Sequence, residues 1–238
     1  MRKSLTKAAL AAVLCSAASA GAQTTQTVVA PASPQRPAPV VSMKVPEGTT
    51  APVRTSAVAR MTAEGLAAFQ SGDFAGARGA YLRVLEFEPD NVPTLVNLGA
   101  AEFRLGELEE AERHLRRSLA LKNDNATAWL NLGIVLLQRD QAMGALAAAA
   151  QAAALQPNDP MAHHYLGLAA KRLGWPETAE AELRRAIELQ PDYAEAHFNL
   201  AVFCLGRRPP AVELARRHYH KALEFGMVPD PLLEKSLR

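Results

Sequence analysis

Side chains capable of chemistry are few in this chain, and their spacing argues against a catalytic centre. His163 and His197 stand 34 residues apart, and Trp129 precedes them by the same interval. A place shared by one indole and two imidazoles selects a ring for inter-helix packing rather than a metal ligand. His218 and His220 are two apart on a predicted helix; they point to different faces and cannot chelate one ion as an i, i+4 pair does. His114 lies in a distant segment. Cys204 falls among core residues, where a thiol is buried and inert. Glu/Arg neighbours such as Glu180 with Arg184 are solvated i, i+4 pairs, not acid/base dyads. There is no glycine-rich phosphate loop and no His-Glu-x-x-His. The expectation is a protein with no catalytic residues, no cofactor and no metal site. What recurs instead is an amide: Asn97, Asn131 and Asn199 share one place of a 34-residue period, which Tyr165 interrupts. A side-chain amide both donates and accepts, so it can complement one peptide unit of an extended chain.

That period belongs to the elements that must position these groups. Four segments align without gaps from Val58, Val92, Ala126 and Pro160, and a fifth starts at Ala194. The eighth place is Gly65, Gly99, Gly133, Gly167 and Ala201, and the twentieth is Ala77, Ala111, Ala145 and Ala179. Small residues at both places let two helices of a hairpin approach closely. Gly72, Gly106 and Gly174 fit the turn that ends each first helix. Pro89, Pro157 and Pro191 close three units, because the residue before proline avoids the helical region. Leu98, Leu132, Leu166 and Leu200, with Tyr81, Leu115 and Leu183, supply a buried seam. No single hairpin buries both of its faces, so the units must stack.

The segment Trp129-Leu130-Asn131-Leu132-Gly133, followed by Ala145, Ala152 and Pro157, closely resembles the tetratricopeptide repeat, and three neighbouring units match it nearly as well. The resemblance implies an all-α, right-handed α-solenoid over residues 58–238, with repeats near 58–91, 92–125, 126–159, 160–193 and 194–229 and a capping helix in 230–238. Repeat 1 has Met61 and Glu64 where the family prefers larger apolar residues, which suits an N-terminal cap. The fifth unit has a longer turn, Arg207-Arg208-Pro209-Pro210, which moves its small residue to Ala215. Asp230 and Pro231 suit the N-cap and first position of a last helix, from which Leu233 and Leu237 would cover the open end. This ending resembles that of exported bacterial tetratricopeptide proteins.

In that family the first helix of each unit lines a concave groove. Carried over place by place, the groove of this chain would present Val96, Asn97, Phe103, Leu130, Asn131, Ile134, Leu137, Tyr165, Leu168, Phe198, Asn199 and Val202, with Lys171 and Arg172 as its clearest basic pair. The asparagines would either form a ladder holding an extended peptide or be solvated amides at a favoured place. The lysine, arginine and asparagine set that grips a C-terminal carboxylate in some members is missing. A second interface is possible on the second helix of repeat 3, where Met143, Leu146, Ala147, Ala148 and Ala150 replace the charged residues of repeats 2 and 4. The alternative there is simply an alanine-rich helix of good propensity.

Residues 1–22 read as an export signal: Arg2, Lys3 and Lys7, then an apolar run from Ala8 to Leu14, then cleavage sites after Ala20 or Ala22. The run is too short to span a bilayer comfortably. Residues 23–57, with Pro31, Pro34, Pro37, Pro39, Pro46 and Pro52, read as an extended, disordered linker. Removing the signal leaves 23 basic against 24 acidic residues and Cys204 as the sole cysteine. That balance excludes a dedicated nucleic-acid binder. The expectation is an exported scaffold, periplasmic or secreted, without stable membrane insertion. It would bind an extended segment of another protein, or associate with itself.

Overall fold

Why this sequence folds as it does is clearest at the places where two helices nearly touch. A Cβ on Gly65 would lie 2.5 Å from the ring of Tyr81, and one on Gly99 would lie 2.7 Å from Leu115 Cγ. One on Gly133 would press on the backbone of Ala149 at 3.3 Å, and one on Gly167 on the Ala179 carbonyl at 3.1 Å. Each eighth-place glycine therefore sets the spacing of its own hairpin.

The computed structural model describes residues 52–237, with side chains from Ser56 onward; the expected export signal and residues 23–51 of the expected linker lie outside the described residues. Within that span the chain is helical, with no strand. The hairpins are α1 (Pro52–Gln70) with α2 (Phe74–Phe87), α3 (Val92–Leu105) with α4 (Leu108–Leu121), α5 (Ala126–Gln138) with α6 (Ala142–Leu155), α7 (Pro160–Arg172) with α8 (Pro176–Leu189), and α9 (Ala194–Gly206) with α10 (Val212–Glu224). A last helix, α11 (Pro231–Ser236), closes the end. Successive helices pack on one another, and α3 also touches α5, as α5 touches α7. No comparable contact joins the even-numbered helices of neighbouring repeats. The first helices thus lie on the inner, concave side of the curve and the second helices on the outer side.

Local signals fix the ends. Asn91, Asn125 and Asp159 cap α3, α5 and α7 by accepting from backbone N–H groups of their first turns. Gly72, Gly106 and Gly174 take positive φ at the hairpin turns, as expected. Repeat 3 does the same without glycine: Asp140 sits at φ 59°. The linker boundary needs correction. Helix α1 begins at Pro52, not at residue 58, because a proline in the first helical turn surrenders only an N–H that the helix does not use.

A second device joins repeats 3, 4 and 5 each to the one before. The Trp129 indole N–H donates to the Asn123 carbonyl at 2.7 Å. At the same place of the next two repeats, His163 Nε2 meets the Pro157 carbonyl and His197 Nε2 the Pro191 carbonyl, each at 3.0 Å. The fourth place is therefore a structural staple as well as a packing position. Leu95 and Met61 occupy it in repeats 2 and 1 and have no N–H to give.

At the far end, Ala215 is fully buried beneath α9, Gly226 ends α10 with positive φ, and Asp230 accepts from the N–H groups of Leu232 and Leu233. Leu233 and Leu237 are buried in the core formed with Phe198 and Tyr219, so the solenoid is capped as its sequence implied. Leu237 is the C-cap residue of α11.

Candidate functional site

The concave face is built by α3, α5, α7 and α9, and its four stretches are not alike. Along α3, nine successive residues from Thr94 to Glu102 are buried, and along α5 seven from Leu130 to Leu136. Consecutive residues point 100° apart, so such a run leaves no open side of the helix. Along α7 no more than two successive residues are buried, and Tyr165, Leu168 and Lys171 are half-exposed. Val202 and Leu205 on α9 are half-exposed beside them in sequence register.

The expected groove residues divide accordingly. Phe103, Tyr165, Leu168, Lys171 and Val202 are partly open, as are Leu137 and the well-exposed Arg172. Leu130 and Ile134 cluster with Phe103, Met161 and Tyr165 on the inner side. Val96 and Phe198 need correction: neither offers a surface. Val96 packs against Ala128 and Leu132 of the next inner helix, and Phe198 lies in the C-terminal core against Tyr219. Their shared place turns into the stack, and its occupant in repeat 4, His164, is buried too.

Burial removes one of the two alternatives for the amides, that of solvated groups. Asn97, Asn131 and Asn199 are exposed by only 0%, 2% and 9%, so they are not solvated groups. Asn97 and Asn131 both have polar partners. Asn199 spends its amide inside the protein, donating to His164 Nε2 at 2.9 Å, which leaves His164 Nδ1 to donate to the Tyr193 hydroxyl at 3.0 Å. Burial holds the His164 pKa at about 3, so this network is built on a neutral imidazole. Sequence reasoning missed it. The signal was present as a histidine, a tyrosine and an asparagine 29 and 35 residues apart, but only a known curvature brings them together.

The basic pair is also split. Arg172 reaches back to Asp140 at 2.7 Å, tying the turn of repeat 3 to repeat 4. No described carboxylate forms an ion pair with Lys171, whose pKa is lowered to about 8 by burial and by the neighbouring Arg172. Tyr165 is raised to about 12 by burial and by Glu195. An under-compensated cation between apolar side chains is the most distinctive charge on the inner face.

Other titratable clusters lie away from it. His197 Nε2 donates to Pro191, so its Nδ1 accepts from His218 Nδ1 at 2.9 Å. Burial lowers both histidines, His218 to about 4, with its partner and Lys221 adding to the effect. His114 binds the buried Glu102 at 2.8 Å, and His163 binds Glu182 at 2.7 Å. On the outer helices, burial works against the Glu112 carboxylate, but Arg116 and Arg139 together lower its pKa. Cys204 is buried and its thiol pKa raised, which suits an inert side chain. Among the described residues, no group of three or more His, Cys, Asp or Glu side chains is placed to hold a metal ion, and no helix is long and apolar enough to cross a membrane.

Comparison with known proteins agrees with this geometry. Residues 99–140 match the model of a TPR repeat, and residues 160–203 match that of the tetratricopeptide repeat. Both matches are to the tetratricopeptide repeat and fall on hairpins of the helical stack. Curated protein sequences give no match. Among solved structures it is similar to the crystal structure of MamA, with 28% identity and a TM-score of 0.59, covering 68% of this chain and 93% of that one. It is also similar to PilF of Pseudomonas aeruginosa, with 21% identity, a TM-score of 0.65 and coverage of 74% and 79%. A third is YrrB, a TPR protein with an unusual peptide-binding site, with 21% identity, a TM-score of 0.58 and coverage of 77% and 96%. At such identities the PilF and YrrB likenesses show the fold alone.

The outer patch on this helical stack is narrower than its sequence implied. Met143 is 59% exposed, and Ala147 and Ala150 are exposed beside it. Leu146 instead packs between the cores of repeats 3 and 5, and Ala148 is buried. The neighbouring outer helices carry ion pairs such as Glu180 with Arg184 at 2.7 Å.

Proposed function

We propose that this chain is a non-catalytic interaction scaffold of the cell envelope that takes an extended segment of another protein on its concave face, chiefly over α7 and α9. The open stretch of α7 carries the proposal: Tyr165, Leu168 and Lys171 offer an apolar strip with one under-compensated cation, which suits an apolar segment bearing a carboxylate. The relation to YrrB supports a peptide as ligand, and residues 1–22 support export to the periplasm or beyond. The test is p-benzoylphenylalanine in place of Leu168, irradiated in intact cells, with Ala147 replaced as the outer-face control. One partner protein should crosslink from position 168 and not from 147. Crosslinks from 147 alone would overturn the groove reading.

A second reading is self-association, which the exposed Met143 with Ala147 and Ala150 favours. Light scattering decides it: a monomer at all concentrations removes it. A third, an accessory subunit of an envelope enzyme or secretion complex, predicts activity only in a purified complex.

A further inference from the structure

Two charges of opposite sign stand at opposite corners of the open inner stretch, each without a counter-charge among the described residues. Lys171 lies on the last turn of α7 and Glu195 on the first turn of α9, and both are half-exposed. Arg172, beside Lys171, is satisfied by Asp140. No described carboxylate forms an ion pair with Lys171, and no described cation forms one with Glu195. Burial raises the Tyr165 pKa to about 12 with help from the Glu195 carboxylate, which puts that carboxylate on the side of α9 that faces α7. Burial and Arg172 lower Lys171 to about 8, so a carboxylate arriving there relieves a repulsion. At these two places of the period the other repeats carry only uncharged residues; charge enters each place once, and on adjacent inner helices.

The two corners are held in a fixed relation. His164 of α7 accepts from the Asn199 amide of α9 at 2.9 Å and meets the hydroxyl of Tyr193, the N-cap residue of α9, at 3.0 Å. In the repeat Lys171 and Glu195 are ten places apart, about 15 Å along the helix axes. Helices packed side by side lie about 8–10 Å apart, so the diagonal between the charges is about 17–18 Å. An extended chain rises roughly 3.3 Å per residue and spans that diagonal in five to six. Side chains return to the same side of a strand at even intervals, so about six is the interval that meets both corners. Between them Tyr165, Leu168 and Val202 form a half-exposed, largely apolar floor.

We propose that the face over α7 and α9 selects an extended segment with one acidic and one basic residue about six apart and apolar residues between them. The acidic side chain pairs with Lys171, the basic one with Glu195, and the apolar ones lie on Tyr165, Leu168 and Val202. Glu195 then determines specificity: it turns away a segment that is acidic at both ends, as Lys171 turns away one that is basic at both. The two charges also set register, because a segment shifted along the diagonal withdraws both of its charges from their partners. This rests on the concave face over α7 and α9 as the binding face, and adds to it the charge pattern of the ligand.

The experiment is selection of random nonapeptides displayed on phage against the immobilised whole chain. Enriched peptides should share an acidic and a basic residue about six apart with apolar residues between them. On Glu195→Lys the basic residue should give way to an acidic one, and on Lys171→Glu the acidic residue to a basic one, with far-ultraviolet circular dichroism unchanged. Glu195→Gln, the milder change, should bind a peptide enriched on the parent about threefold more weakly by fluorescence anisotropy, a difference that high salt removes. Apolar peptides without the charge pair overturn the proposal and leave the groove reading standing, as does the same pattern on Glu195→Lys as on the parent, or undiminished binding to Glu195→Gln. Peptides that bind Leu168→Glu as well as the parent sit elsewhere on the molecule and overturn both readings, as does a library that yields no enrichment.

Discussion

Helices α3 and α7 hold the same station in repeats 2 and 4, yet one buries nine successive residues and the other keeps a strip of partly exposed ones. The difference begins in side-chain size and polarity. Where α3 carries Asn97 and Ala100, α7 carries Tyr165 and Leu168, which stand off the helix and resist close cover, and Lys171 stands where α3 has Phe103. Apolar content alone does not make a binding face. A helix that is buried all round contributes stability, whereas one left open by a bulky or charged residue holds unused contact area.

That contrast can be broken first by core truncation. Leu132→Ala on the enclosed α5 should cost about 3 kcal/mol in urea unfolding, and Leu168→Ala on α7 about 1 kcal/mol; equal losses would remove the distinction. The next largest effect is acid sensitivity centred on repeat 4. His164 has its folded pKa depressed to about 3 from 6.5, so the unfolded chain binds the extra proton first. Its contribution to stability is complete above pH 6.5 and is lost as pH falls toward 3, with a slope approaching about 1.4 kcal/mol per pH unit. His197 and His218 act in the same direction, so His164→Phe should flatten the acid limb of a stability–pH curve without abolishing it.

A smaller effect sharpens the comparison from the alkaline side. Lys171 has its pKa lowered to about 8 from 10.5, so stability should rise between those values as the unfolded chain alone retains the proton. Lys171→Met should remove that rise and add about 1 kcal/mol at pH 7, while weakening capture of an acidic segment. The smallest change is expected at the turn. Asp140→Gly relieves a left-handed φ but loses the exposed ion pair to Arg172, for a net gain of about 0.5 kcal/mol in thermal or urea unfolding.

Much of the fold was legible because its rules are local. A glycine opposite a tyrosine or leucine in the same hairpin, a proline after a helix and an Asp-Pro helix start each act within one or two turns of chain. The period repeated those rules in register. The boundary at Pro52 escaped because proline was read as a helix breaker without regard to its place in the first turn. Asp140 escaped although it stands at the place of Gly72, Gly106 and Gly174, because the turn was sought through glycine alone and not through an aspartate that tolerates the left-handed region. The site was less legible for a different reason. Whether Val96 or Phe198 meets solvent depends on how the neighbouring helices pack against it, and the pairing of His164 with Asn199 depends on the angle between repeats. Both are long-range properties. Leu146 shows the same limit on the outer side, since its neighbours come from two other repeats.

The ring N–H groups that reach back to Asn123, Pro157 and Pro191 have a mechanical consequence. They cross the seams leading into repeats 3, 4 and 5, whereas the seam between repeats 1 and 2 has only the leucine side chain of Leu95 at that place. That first seam relies instead on ion pairs between side chains, Arg78 with Glu107 at 3.0 Å and Arg117 with Asp90 at 2.9 Å, so torque along the axis meets three joints pinned to backbone and one held by side chains that can slide and re-form.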